Sequence, residues 1–308
     1  MTPEELIVRN TALVSLPEIC FQVQTLAESP TATANDVGNV IGTDPALSAR
    51  LLKLVNSAFY GLSGRIETVP RAVNIIGMRE LRNLTFAACA ADIFRGIPKQ
   101  LVDMPSFWQH SCYTGLIAKQ FGRHCHVLHP ERLLTAGLLH DIGRLLMFMA
   151  LPDEMRRCAE LQAKSGREQC DIEDEIVGFN HAEAGFALLQ FWKLPANLCA
   201  AVRFHHHPHD AHDAHLESAI LHLADIVTRA AQTLRQDRSS TYYDPYGALL
   251  DSDLHVEEIA IAALPLMDDE ALHLTGVTAE VLHHAIEASA AAFSQILDVV
   301  FPMAWENR

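Results

Sequence analysis

Apolar residues recur at three- and four-residue spacing in one segment after another, and strand-like alternation is found nowhere, so the pattern predicts an all-α protein. Leu16-Pro17-Glu18 opens an amphipathic segment through Ala27 that Ser29-Pro30-Thr31 breaks. Asn35 or Thr33 can cap a short helix toward Ile41. Asp44-Pro45 supplies an N-cap followed by proline at the first helical position, with Leu47, Leu51, Leu54, Val55 and Ala58 behind it and Gly61 and Gly64 at its end. Pro70 starts a two-turn helix that Gly77 closes, and Arg79 to Phe94 forms the next. This pair invites a helix-turn-helix reading, but Leu81, Leu84 and Phe86 call for a packed second helix. The proline-bearing stretch from Gly96 to Pro105 marks a boundary between an N-terminal helical subdomain, residues 1–98, and a larger helical subdomain, residues 99–308, with a C-terminal extension. Asp153 to Gly166 is amphipathic, and Asp171 to Val177 is expected to open the helix leading into His181. Residues 235–247 are polar and turn-rich, a surface excursion, and three further helical segments end at Val300.

The most apolar stretch, Leu133 to Met149, is expected to form one helix buried on most of its circumference, with His140-Asp141 at its centre. Burying an imidazole and a carboxylate there requires partners. On its own the dipeptide is satisfied by a simple His–Asp hydrogen bond. Other polar residues point the same way, however. His110 shares a helical stripe with Phe107, Thr114, Ile117 and Phe121; His181 lies with Gly185, Leu188 and Trp192; Asp225 lies with Leu221 and Thr228; and His205-His206 end a helical pattern that starts near Asn197. Imidazoles and carboxylates aimed at one core suit Fe, Mn, Zn or Ni, as one or two ions. His110, His140, Asp141 and Asp225 would form one position, His181, His205 and His206 a second, with no basic side chain assigned to the two carboxylates. The remaining histidines of the 205–215 tract lie among Pro and Asp in a loop and are not taken as ligands.

Composition narrows the class. The 308 residues are 49% hydrophobic and 20% charged, which is globular. The seven cysteines are scattered without a Cys-x-x-Cys pair, as expected of buried thiols in a reducing compartment. The acidic start Met1-Thr2-Pro3-Glu4-Glu5 is unlike a secretory signal, and no apolar run is expected to reach the ~18 residues of a membrane span, so the expected location is cytoplasmic. A net charge of −15 argues against general nucleic-acid binding. Arg50, Lys53, Arg65, Arg71, Arg79 and Arg82 form a local basic excess, read as a solvated helix surface or a face for an acidic partner.

These motifs carry a resemblance. The order of His110, His140-Asp141, His181, His205-His206 and Asp225 resembles the HD superfamily of metal-dependent phosphohydrolases, and more closely the HDOD (HD-related output domain) family of bacterial signalling proteins. The similarity runs from about Leu16 to Asp225, through Asp44-Pro45-Ala46-Leu47-Ser48, Leu54-Val55-Asn56-Ser57-Ala58, Val69-Pro70-Arg71-Ala72-Val73 with Gly77, Ala136-Gly137-Leu138-Leu139-His140-Asp141-Ile142-Gly143 and Trp192-Lys193-Leu194-Pro195. It implies an HDOD-like fold in which the N-terminal helices pack on an HD-like bundle. No receiver, cyclase or sensor pattern accompanies it, so a free-standing output module, or one whose input comes from another chain, is expected.

Two functions follow from the resemblance. The HDOD family implies a scaffold that acts by contacting a signalling protein, any metal being structural. The enzyme alternative is phosphoester hydrolysis on a cyclic or other nucleotide, with metal held around Asp141 and Arg144 orienting the substrate phosphate, a place where a small nucleotide could also dock. HD-GYP enzymes, which are similar at the ligand positions, differ at three others: they carry a carboxylate where this chain has Ser106, a lysine at Arg144, and a Glu with a Gly-Tyr-Pro loop where this chain has His207-Pro208-His209-Asp210. Those departures favour the scaffold.

Overall fold

The computed structural model describes residues 1–238, except 58, 59, 61 and 63, and residues 256–300. It is all-α, with no strand among the described residues. The chain begins with α1 (Pro3–Arg9) and α2 (Thr11–Val14), followed by α3 (Glu18–Glu28), α4 (Ala34–Ile41) and α5 (Pro45–Val55). Then come α6 (Val69–Ile76), α7 (Met78–Ile93) and the long α8 (Met104–His124). The site region holds α9 (Glu131–Leu139), α10 (Ile142–Ala150), α11 (Pro152–Ser165), α12 (Gln169–Val177), α13 (His181–Phe191), α14 (Ala196–Arg203) and α15 (His215–Arg238). The last helices are α16 (Val256–Ala263), α17 (Asp269–Thr275) and α18 (Ala279–Val300). The expected surface excursion lies almost wholly outside the described residues.

Local chemistry sets the helix starts. Asp44 Oδ1 accepts from Ala46 and Leu47 N–H, Thr33 and Thr68 cap α4 and α6, and Asn180 caps α13. α7 is buried from Glu80 to Ala90, so it is a packed core helix, as Leu81, Leu84 and Phe86 foretold. Arg82, counted with a solvated basic surface, is 7% exposed. The N-terminal segment is tied to α13, where the buried Trp192 indole donates to Val14 O at 2.8 Å. α18 packs on both α8 and α5.

Two close approaches place the site. A Cβ on Gly137 would lie 2.2 Å from Gly115 Cα, so α8 and α9 cross in near backbone contact. A Cβ on Gly143 would lie 2.0 Å from His181 O and 2.4 Å from Gly185 N, which seats α10 on α13. The first crossing brings His110 to His140; the second brings Asp141 to His181.

Three expectations change. The stretch from Leu133 to Met149 is not one helix: it breaks at His140–Asp141, where Asp141 has φ −97° and ψ 7°. The Gly137 carbonyl, which a continuous helix would offer to Asp141 N–H, instead accepts the His140 Nδ1–H at 2.7 Å. Asp171 does not open the helix of His181, because α12 ends at the left-handed Gly178 and α13 starts afresh. By length and apolarity Glu131–Ala150 does reach the range of a membrane span; 78% of its window is buried inside the fold, where it serves as core around the site.

Candidate metal centre

The seven sequence-selected residues meet at the junction of α8, α9, α10, α13, α14 and α15. His110, His140 and Asp225 form one group, and Asp141, His181, His205 and His206 another, with the ligand atoms in each within 4.8 Å of one another. Asp141 thus sits with the second group, not the first as expected, because the break at His140–Asp141 turns it toward α13. It still faces both: its Oδ1 is 3.2 Å from His181 Nε2, 3.6 Å from His140 Nε2 and 3.8 Å from His205 Nε2, and its Oδ2 is 4.0 Å from His110 Nε2. Asp225 Oδ1 lies 3.0 Å from His110 Nε2 and 3.7 Å from His140 Nε2. The carboxylates therefore turn one oxygen inward to the imidazoles.

The other imidazole nitrogens are occupied from outside. His140 Nδ1 donates to Gly137 O, His205 Nδ1 to Val202 O at 2.7 Å, His181 Nδ1 to Glu173 Oε2 at 2.6 Å, and His110 Nδ1 to Gln232 Oε1 at 3.1 Å. A ring that donates through Nδ1 presents an Nε2 lone pair, the arrangement that fixes a metal-ligating tautomer. His110 Nε2 and His140 Nε2 face each other at 3.2 Å, and two lone pairs at that distance need a proton or a metal ion between them. His205 Nε2 is buried with no hydrogen-bond partner. These orphaned, convergent donors fit a divalent transition metal, as does the borderline nitrogen–oxygen set.

The outer carboxylate oxygens correct the expectation that no basic side chain meets them. Arg144 Nη1 donates to Asp141 Oδ2 at 3.0 Å and Nη2 to Gln169 Oε1 at 2.9 Å. Arg229 Nε is 3.1 Å from Asp225 Oδ2, and its Nη1 donates to Glu168 Oε2 at 2.8 Å. Burial alone would raise both carboxyls. For Asp141 the charges of His140 and Arg144 outweigh it, and for Asp225 that of Arg229 does, so both are held well below the usual carboxylate range. In the metal-free site burial also opposes charge on His181, but Glu173 and Asp141 overcome it and lift its pKa to about 10. His205, pressed by burial and by His140 and His181, falls to about 3, and His206 falls well below normal for similar reasons. The carboxylates are thus balanced by arginines and an imidazolium even without an ion.

Sequence reasoning missed Glu173, Gln232 and Arg229. Arg229 and Gln232 carried a signal, lying four and seven residues after Asp225 on one helix face. Glu173 carried none, since Gly178 separates its helix from that of His181. The centre opens into a cleft of about 560 Å³ walled by Phe107, Phe148, Arg144, Arg229 and His206. Ser106 lines it with its hydroxyl donated to Asp103 Oδ2 at 2.5 Å. His209 and His215 turn away toward Glu270.

Comparison with known proteins agrees with this architecture. The HDOD domain profile matches residues 13–208, more than half of the chain. An HDOD domain protein of unknown function from Geobacter sulfurreducens superposes with a TM-score of 0.62 at 23% identity, over 97% of this chain and 98% of that one. A candidate phosphohydrolase from Shewanella amazonensis SB2B superposes with a TM-score of 0.69, also at 23% identity, over 94% of this chain and 97% of that one. An uncharacterized protein of Treponema pallidum (strain Nichols) is 30% identical over 199 residues, which are 63% of this chain and 38% of that protein, so the chain spans less than two-fifths of that relative's length.

Proposed function

The chain belongs to the HDOD family, and we propose that it is a cytoplasmic output module that regulates a bacterial signalling protein by binding it, with the His–Asp cluster kept as a structural metal centre. One observation carries the non-catalytic reading: both cluster carboxylates spend their outer oxygen on an arginine. Hydrolysis of a phosphoester at this centre needs a cationic side chain free to grip the phosphate. Arg144 ties its two Nη groups to Asp141 and Gln169, leaving only its buried Nε, and Arg229 is held between Asp225 and Glu168, so gripping a phosphate would take either guanidinium off its carboxylate. Ser106, bonded to Asp103, adds no carboxylate to the cluster. The expected partner contact is one-to-one, and it survives Asp141→Asn in a co-purification assay provided that the variant stays folded.

A second reading, metal-dependent hydrolysis of a cyclic or other nucleotide, is favoured by the open cleft beside the ligands. A bound ion would supply Lewis-acid chemistry, and Arg144, whose side chain is 32% exposed, would orient a phosphate. Turnover of cyclic di-GMP by manganese- or iron-loaded protein separates the two. The scaffold reading expects none at an enzyme-like rate; turnover of ~1 s⁻¹ or more, abolished by Asp141→Ala, replaces it with the hydrolase reading.

A further inference from the structure

A second cavity, of about 450 Å³, lies where α6 and α7 meet α9 and α14, and it shares no lining residue with the metal cleft. One wall is apolar: Ile76, Met78, Leu133, Ala136, Leu198 and Ala201. The other carries arginines whose donors are unfilled. Arg82 is 7% exposed, and both its Nε and its Nη2 donate to the single Oδ1 of Asn83, at 3.2 and 2.9 Å. A guanidinium has five N–H groups, so three are left without an acceptor among the described residues. No carboxylate among those residues lies within 4.0 Å of it. Arg132, bonded through Nη2 to Glu217, has a buried Nε with no partner, and the exposed Arg79 lines the rim.

Glu28 and Glu80 are the nearest opposite charges to Arg82 but neither is in contact with it, and a buried arginine that no carboxylate touches costs free energy that a ligand's oxyanion would recover. We propose that this cavity binds a small organic acid: one oxyanion group, carboxylate or phosphate, on an apolar body, with the oxyanion on Arg82 and the body against the Leu133–Leu198 wall. Three acidic residues also line it, and they limit the ligand's charge. Glu217 is neutralised by Arg132, while Glu80 receives the Tyr60 hydroxyl at 3.4 Å and Glu131 stands nearby. Their presence selects against a polyphosphate and for a single anionic group. The volume suits a ligand of aromatic-acid size, and pockets of this kind fix such ligands with a few convergent polar groups in an apolar wall. Because the walls come from both the N-terminal helices and the site bundle, an occupant bridges the two.

Calorimetric titration of the full chain with benzoate, phenylphosphonate and inorganic phosphate tests this. One-to-one binding of benzoate or phenylphosphonate at ~1 mM or tighter is expected, with phosphate at least tenfold weaker because it cannot use the apolar wall. The preferred phenyl compound shows whether the head group is carboxylate or phosphate. Arg82→Met should weaken it at least tenfold. Ala27→Trp, which fills the cavity from its half-buried rim, should do so without touching the buried arginine. Gln162→Trp, which narrows the separate cleft without touching a metal ligand, should leave it unchanged. The proposal is overturned if neither phenyl compound binds, if phosphate binds as well as they do, if Ala27→Trp binds with wild-type affinity, or if Gln162→Trp abolishes binding.

Discussion

Glu173 holds His181 from two sides: its Oε2 accepts the histidine's backbone N–H at 2.8 Å and the ring Nδ1–H at 2.6 Å. This fixes both the start of α13 and the tautomer that turns Nε2 toward Asp141. Glu173→Gln keeps the shape but can turn an amide donor toward Nδ1, so metal affinity should fall about 10–100-fold. Competition with a chromogenic chelator measures it, and unchanged affinity would show that the ring is positioned without Glu173.

Arg229 balances Asp225 from one turn along α15. In metal-free protein Arg229→Met leaves a buried carboxylate short of its principal counter-charge. Arg229 is 38% exposed at its side chain, so the loss is discounted for solvent to about 1–3 kcal/mol, read by urea unfolding. A bound divalent ion supplies that counter-charge, so the loss should shrink when metal is added.

Much of this centre was legible in the chain. His110, His181 and Asp225 stood out because each sits on an apolar helical stripe where a lone polar group is costly, and helix geometry turned those stripes inward. The break at His140–Asp141 was not legible, since the flanking residues other than Gly137 and Gly143 are mostly apolar helix formers. It arises from a side chain capturing the Gly137 carbonyl, a contact with no periodicity. The pairing of Asp141 with Arg144, i to i+3, was within reach of spacing alone; the hold of Glu173 on His181 depends on how α12 folds back, which local pattern does not encode.

Gly143 leaves no room for a side chain. Gly143→Ala would press a methyl group into the His181 carbonyl and the Gly185 backbone, so α10 and α13 must separate. A loss of about 3 kcal/mol or more is expected, with metal binding lost alongside stability. Thermal unfolding with and without metal checks it.

Glu80 gives a pH signature away from the centre. Burial, reinforced by Glu131, raises its pKa to about 7 against an ordinary value of 4.5. A raised folded-state pKa contributes stability that is full below pH 4.5 and is lost as the pH climbs through 7. Lys119, lowered by burial to about 7, works in the opposite sense, losing stability as the pH falls from 10.5 through 7. The difference between wild type and Glu80→Gln isolates the carboxyl: near zero at pH 4, and about 1–3 kcal/mol in favour of the variant at pH 8.5, by urea unfolding.

The convergence of imidazole Nε2 atoms on Asp141 and Asp225 is tested most directly by the metal content of protein purified without chelator, with its melting curve before and after chelation. At least one transition-metal ion per chain is expected, and chelation should lower the melting temperature. The shift should be modest, because Arg144 and Arg229 balance the carboxylates when the ion leaves. Asp141→Asn should abolish both the metal and the shift, while changes confined to His209, His212 and His215 should abolish neither. Metal-free wild-type protein whose melting curve chelator leaves unchanged would contradict the account.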